Sequence, residues 1–308
     1  MDEARSLCRW SGNKRGLLAP SPFMEFVKMK RANDEIKAIV GTLNVLGRSM
    51  GAETVFRDWC ACSALAIANG CDLLHGDLWK QRESRYMEII GKYKDDAAFA
   101  GMLAHLVQAF EIDPWQDHLG RVYMECFGGN KRLGQCFTPI EVCEVCAETC
   151  LPDKAEMETR HKPVTIADEC CGGGAMLIAA CKVLHDRGVD WQRSVQFHCA
   201  DLDSLCVHMC YVQLSLLGAR AIVKRQDTIL MRVYETFVSP MEMLWPMTVL
   251  PAEKPCGEAG NSDRNSDEND ADLYALLYGE PEKSEGNETS PNPETLTQQG
   301  EAIQLKLF

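Results

Sequence analysis

Val164-Thr165-Ile166-Ala167-Asp168-Glu169-Cys170-Cys171-Gly172-Gly173-Gly174-Ala175-Met176-Leu177-Ile178-Ala179-Ala180 reads as a β-strand, an acidic strand end, a glycine turn and the start of a helix. The glycines permit positive φ and let a ligand approach the backbone closely. The helix start offers unpaired N–H groups to an anionic group. The arrangement follows the logic of nucleotide-type sites, although the Gly-x-Gly-x-x-Gly spacing is absent.

Working outward, Val195-Gln196-Phe197-His198-Cys199-Ala200 is a second strand, ending at Asp201-Leu202-Asp203. An acid at that place, roughly 30 residues after the first strand, suits ribose hydroxyls. A third β-like run, Ala221 to Lys224, leads to Gln226-Asp227-Thr228. Helical stretches lie between and before these runs, over Pro139 to Cys150, Ala175 to His185 and Leu205 to Leu217. Strands alternating with helices predict an α/β fold with a parallel sheet covered on both faces. Asp168, Asp201 and Asp227 then share the sheet edge where ligands bind in this architecture.

Four ordered segments carry a family resemblance. Asp168-Glu169-Cys170-Cys171-Gly172-Gly173-Gly174 resembles the Asp-Pro-x-Cys-Gly-Ser-Gly signature of the N6-adenine DNA methylases of modification-subunit type. Gly134-Gln135-Cys136-Phe137-Thr138-Pro139 resembles their Gly-Gln-Phe-Phe-Thr-Pro segment. Asp201-Leu202-Asp203 with the helix to Leu217-Gly218 resembles their second acidic motif. Asp117-His118-Leu119-Gly120-Arg121-Val122-Tyr123 resembles their Asp-x-Leu-Gly-x-x-Tyr stretch. The resemblance spans about residues 113–230.

It implies S-adenosyl-L-methionine (SAM) as cofactor, DNA as partner and a restriction-modification setting. By it, Phe137, Thr138 and Pro139 line the cofactor pocket. Asp168, Cys171, Gly172 and Gly174 hold the methionine part, Asp201 the ribose hydroxyls, and Asp227 lies near the adenine. The family's catalytic Asn-Pro-Pro-aromatic tetrapeptide does not occur. After Asp227 the chain offers only Ser239-Pro240-Met241 and Leu244-Trp245-Pro246-Met247. Two functions of different class follow: a methyltransferase of the adenine-N6 type, or a SAM-binding regulatory or assembly subunit without transfer activity. Similarity extends to small orphan methylase-like proteins of mobile elements that keep the cofactor motifs without that loop.

The expected organisation is an irregular N-terminus (1–22), a helical domain (23–126), a Rossmann-like SAM-dependent methyltransferase domain (127–250) and an acidic tail (251–308). In the helical part Phe26, Val27, Ile36, Ile39, Val40, Leu43 and Leu46 recur at helical spacing. Residues 253–301 hold thirteen acids and three bases, −10 of the net −13, so the charge does not exclude DNA. Basic pairs that could contact it are Lys131 with Arg132 and Lys224 with Arg225. The tail is too poor in apolar residues to offset its ordering entropy and should stay disordered. Its end, Gln304-Leu305-Lys306-Leu307-Phe308, resembles the peptide that binds the bacterial sliding clamp, which makes the clamp a candidate partner through Gln304, Leu305, Leu307 and Phe308. Its alternative is an apolar end docked on its own domain.

Sixteen cysteines in a long chain without a secretory pattern fit reduced, buried thiols and a cytoplasmic setting. Cys143, Cys146 and Cys150 fall on one helix face. This reads as packing rather than metal ligation, since zinc sites favour paired Cys-x-x-Cys units on turns. No apolar run is long enough to predict a membrane span.

Overall fold

The structure is a computed structural model that describes residues 22–73, 75–128, 137–159, 164–244 and 302–304. Lys131, Arg132, Gly134, Gln135, Cys136, Trp245, Leu305, Leu307 and Phe308 lie outside the described residues.

Five helices come first: α1 (Pro22–Met50), α2 (Ala52–Cys71), α3 (Asp77–Ile90), α4 (Ala97–Ile112) and α5 (His118–Phe127). There follow α6 (Ile140–Cys150), α7 (Lys154–Thr159), β1 (Val164–Asp168), α8 (Ala175–Asp186), α9 (Trp191–Ser194) and β2 (Val195–Asp201). The chain continues through α10 (Ser204–Leu217), β3 (Ala221–Asp227), β4 (Arg232–Val238), α11 (Pro240–Leu244) and β5 (Ala302–Gln304). The sheet order is β4-β3-β2-β1-β5. All pairs are parallel except β3 with β4. None of the described helices is long and apolar enough to cross a membrane.

Strand alternation decides how the sheet is covered. Val164, Ile166, Val195, Phe197, Cys199, Ala221 and Val223 are buried on one face. Thr165, Gln196, His198, Ile222 and Lys224 alternate with them and are half-buried. Period-2 alternation thus marks one dry face and one more polar, half-buried face. On the latter, His198 Nε2 lies 3.0 Å from Gln196 Oε1.

Helix α10 is buried on every side from Leu205 to Gln213 and Leu214. A helix apolar all round belongs between two layers. It packs on β2 and β3 with one side and on α2 with the other. The five N-terminal helices thus form a third layer, sharing one continuous core with the sheet from Ile36 to Phe237. Ion pairs between distant segments fasten it. Arg57 of α2 reaches Asp203 at 3.1 Å, and Arg85 of α3 reaches Glu235 of β4 at 2.7 Å.

Ala302–Gln304 correct the expectation of a wholly disordered tail. They pair with Thr165–Ala167 along the free side of β1, where a parallel neighbour satisfies N–H and C=O groups that an open edge would leave unpaired. Gln304 therefore has its backbone in the sheet. The apolar end itself, Leu305 to Phe308, lies outside the described residues.

Candidate cofactor site

The parallel strands β1, β2 and β3 end at Asp168, Asp201 and Asp227, side by side on one edge. The turn after β1 closes this edge. Gly172 has φ +52° and Gly174 has φ +93°, backbone shapes that L side chains rarely hold. Gly174 opens α8, and a Cβ there would stand 3.2 Å from Cys210 Sγ and 3.4 Å from Cys210 Cα of α10. Gly174→Ala is accordingly expected to destabilise the protein by about 1–3 kcal/mol and to weaken cofactor binding. Thermal unfolding and calorimetric titration check both.

Asp201 is the hub of the edge. Its Oδ2 accepts from Gly172 N at 3.0 Å and its Oδ1 from Asp203 N at 2.8 Å. It thereby locks the glycine turn of one strand to the end of the next. Asp203 in turn caps α10 by accepting from Leu205 N at 2.9 Å. Asp168 Oδ1 accepts from Cys170 N at 3.1 Å. Asp227 Oδ1 accepts from Ile229 N at 3.0 Å and Leu230 N at 2.9 Å. Thr228 Oγ1 donates to the Glu169 carbonyl at 3.1 Å, joining the third strand end to the first.

Burial raises the pKa of Asp168 above the ordinary carboxylate value, and the nearby Asp201 and Glu169 raise it further. Burial likewise raises Asp201, against the opposing effect of the Asp203 and Gly172 N–H groups. Ionising the two carboxylates together is thus disfavoured, chiefly by burial. A ligand bearing positive charge and several O–H and N–H donors would favour it.

The predicted lining residues separate on inspection. Phe137 lies over the turn, its ring 3.7 Å from a Cβ placed on Gly172 and 3.5 Å from one on Gly173. Tyr123 supports that ring edge-on at 5.2 Å. Thr138 and Pro139 are exposed. All three border a cavity of about 1490 Å³ that runs past Asp117, Trp115 and Arg121 towards Lys28. Asp168, Asp201 and Asp227 do not line that cavity; they stand on the open edge beside it. Cys171 lies in the same turn. Its side chain is buried, with the thiol's pKa pushed up by its hydrogen bond to Cys210 and by burial, so it packs behind the turn. The exposed neighbour is Cys170.

Sequence reasoning missed Gln213. Fully buried on α10, it donates through Nε2 to Asp117 Oδ1 and to the Gly173 carbonyl, both at 2.8 Å, and accepts from Leu119 N at 3.0 Å. Asp117 also accepts from Gly120 N at 2.8 Å, and a Cβ on Gly120 would run into the Asp117 carboxylate. This network explains why Asp and Gly stand at 117 and 120: with the Leu119 N–H they tie α5 to the glycine turn. The available signal was one amide inside an otherwise apolar helix, since a buried amide needs partners.

Cys143, Cys146 and Cys150 of α6 are buried, half-buried and exposed in turn. Among the described residues no group of three His, Cys, Asp or Glu side chains is placed to hold a metal ion.

Among solved structures, the chain is similar to a candidate class I S-adenosylmethionine-dependent methyltransferase from Listeria monocytogenes. The two are 13% identical over 63% of this chain and 52% of that one, with TM-score 0.36. It is also similar to the type I restriction-modification methyltransferase subunit from Streptococcus thermophilus, 12% identical over 64% of this chain and 59% of that one, with TM-score 0.34. The chain thus spans between half and three fifths of these solved structures. No curated protein matches it. Residues 115–284, more than half of the chain, match the N-6 DNA Methylase family, and the chain belongs to that family.

Proposed function

We propose that this protein binds SAM at the carboxyl edge of β1–β3 and is a DNA methyltransferase of the adenine-N6 type. The observation that carries the reading is the Asp201 hub. One carboxylate holds the glycine turn of β1 while standing beside Asp168 at the same edge. SAM is the cofactor that goes with the family, and its chemistry fits these groups. Its sulfonium and amino group are cationic, and its ribose supplies hydroxyl donors. Asp168 with the Gly172–Gly174 turn would hold the methionine part, Asp201 the ribose and Asp227 the region of the adenine. Phe137 would shield the turn side. When bound, SAM supplies an electrophilic methyl group. The chain's part is to orient it and to exclude water with Phe137, whose ring Tyr123 supports.

A second reading, SAM binding without transfer, has one observation on its side. Strand β4 runs antiparallel to β3, so it delivers Ser239-Pro240-Met241 to the edge opposite the carboxylates. There Ser239 Oγ donates to the Ala219 carbonyl at 2.7 Å and accepts from Ala221 N at 2.9 Å. This segment closes the far end of the sheet, away from the strand ends that carry the carboxylates.

The two readings separate in one experiment: methyl transfer from labelled SAM to adenine-containing duplex DNA, run on samples whose SAM binding is measured by calorimetry. Binding with transfer to adenine N6 supports the first. Binding without transfer selects the second, and absence of binding overturns both.

A further inference from the structure

The β3–β4 hairpin carries an exposed apolar tip at the cofactor edge. Ile229, Leu230 and Met231 are 93%, 71% and 71% exposed, three consecutive large apolar side chains held out from the fold. The tip is built to stay there. Asp227 Oδ1 accepts from both Ile229 N and Leu230 N, Thr228 is tied to the Glu169 carbonyl, and Met231 takes φ +54° to close the turn. Such exposure has a cost in water, so a partner surface is the natural reason for it.

The neighbouring charges say which kind. The register between β3 and β4 shifts at Arg225/Gln226, so that Arg225 pairs with Glu235 and Gln226 with Val233. Tyr234 is the residue left over, and a bulge re-aims such a side chain. Its ring carries two guanidinium groups, Arg225 at 5.2 Å and Arg232 at 5.4 Å from the centroid. Among the described residues neither arginine forms an ion pair. The nearest acids are otherwise engaged: Glu235 by Arg85, and Asp227 by the hairpin's own N–H groups. Arg225 Nε also donates to the Leu202 carbonyl at 3.4 Å, which places the pair directly beside the Asp201 loop. Two uncompensated, aromatic-braced guanidinium groups match an anionic partner. A phosphate backbone is one whose bases could also meet an apolar tip.

We propose that this hairpin is the nucleic-acid-contacting element of the site. Arg225 and Arg232, braced by Tyr234, take two backbone phosphates of duplex DNA, and the Ile229–Met231 tip enters the base stack next to the cofactor edge. The inference rests on the DNA reading given above and adds the element that meets the duplex.

The test uses the full-length protein with SAM. Fluorescence anisotropy of a labelled duplex is measured across a range of salt for wild type, Arg225→Gln/Arg232→Gln and Ile229→Ser/Leu230→Ser/Met231→Ser. A second duplex containing 2-aminopurine reports unstacking, and calorimetry reports SAM affinity. The arginine variant should bind DNA more weakly, with the slope of log K against log salt reduced by about 1.8, from ~0.9 for each of two phosphates. The tip variant should keep that slope and lose the 2-aminopurine signal, with SAM affinity unchanged in both. Wild-type DNA binding whose slope and signal persist in both variants overturns the hairpin proposal and leaves the DNA reading intact. Wild-type protein that binds SAM but no duplex overturns both. Self-association lost in the tip variant, seen by sedimentation, would then assign the tip to a second copy of the chain.

Discussion

Asp201→Ala should reduce SAM affinity by about 10- to 100-fold. A hydrogen bond to a charged acceptor contributes about 1.5–3 kcal/mol, and each ~1.4 kcal/mol is a tenfold change in affinity. The loss is compounded because Asp201 also holds the turn: Gly172 N at 3.0 Å and Asp203 N at 2.8 Å both lose their acceptor. Asp201→Asn separates the two effects, since an amide oxygen keeps one acceptor and the side-chain volume while removing the charge. It should fold like wild type and bind at an intermediate affinity. The pH profile supplies an independent check. Burial raises the carboxyl pKa of Asp168 and Asp201 above 3.8, and a cationic, donor-rich ligand prefers both ionised. Affinity should therefore be full above the raised values and fall as pH is lowered through them, beginning at a higher pH than for exposed aspartates. Asp201→Asn should flatten that decline. Calorimetry at several pH values measures all three proteins. An Asp201→Ala variant that folds and binds SAM like wild type would remove the site from this edge.

How much of this was legible in the sequence depends on the range of the interaction. The β1–turn–α8 segment and the strand ends Asp168, Asp201 and Asp227 could be read because glycine conformation, strand period and helix starts are local properties. Strand β4 was not predicted, although Arg-Val-Tyr-Glu-Thr-Phe-Val is rich in β-branched and aromatic residues. Its direction was not readable, because that depends on the hairpin Thr228–Met231 rather than on the strand itself. Its direction is what sends Ser239-Pro240 away from the site. Strand β5 is three residues long and depends on an open neighbour, β1, more than a hundred residues earlier. Gln213 reaches Asp117 and Gly173, 96 and 40 residues away, and no window of sequence contains such a network. The all-apolar surface of α10 was visible as a hydrophobic helix. That the N-terminal helices cover it follows only once the sheet occupies its other side.

Glu242→Ala should be the most destabilising single change at the far edge of the sheet, by about 3–5 kcal/mol. Glu242 and Arg220 form an ion pair at 2.9 Å with both side chains 2% exposed. Gln196 Nε2 donates to the other carboxylate oxygen at 2.8 Å, and Arg220 Nη1 donates to the Arg193 carbonyl at 2.9 Å. Truncating the acid leaves a guanidinium buried without its counter-charge and frees the Gln196 amide. For a domain of this size the loss corresponds to a fall in Tm of roughly 6–20 °C. Replacing both partners by apolar residues of similar volume, Arg220→Met/Glu242→Leu, should recover most of it, because the desolvation penalty of both charges disappears together. The comparison also bears on function. Glu242 follows directly from Ser239-Pro240-Met241, which comes after the third strand where the family's missing tetrapeptide would be sought. If that segment only closes the sheet, the double variant should bind SAM like wild type and retain whatever transfer activity wild type has. A double variant that is stable and binds SAM but has lost wild-type transfer would instead put the Ser239–Glu242 turn in the catalytic machinery and require β4 to reposition when DNA binds.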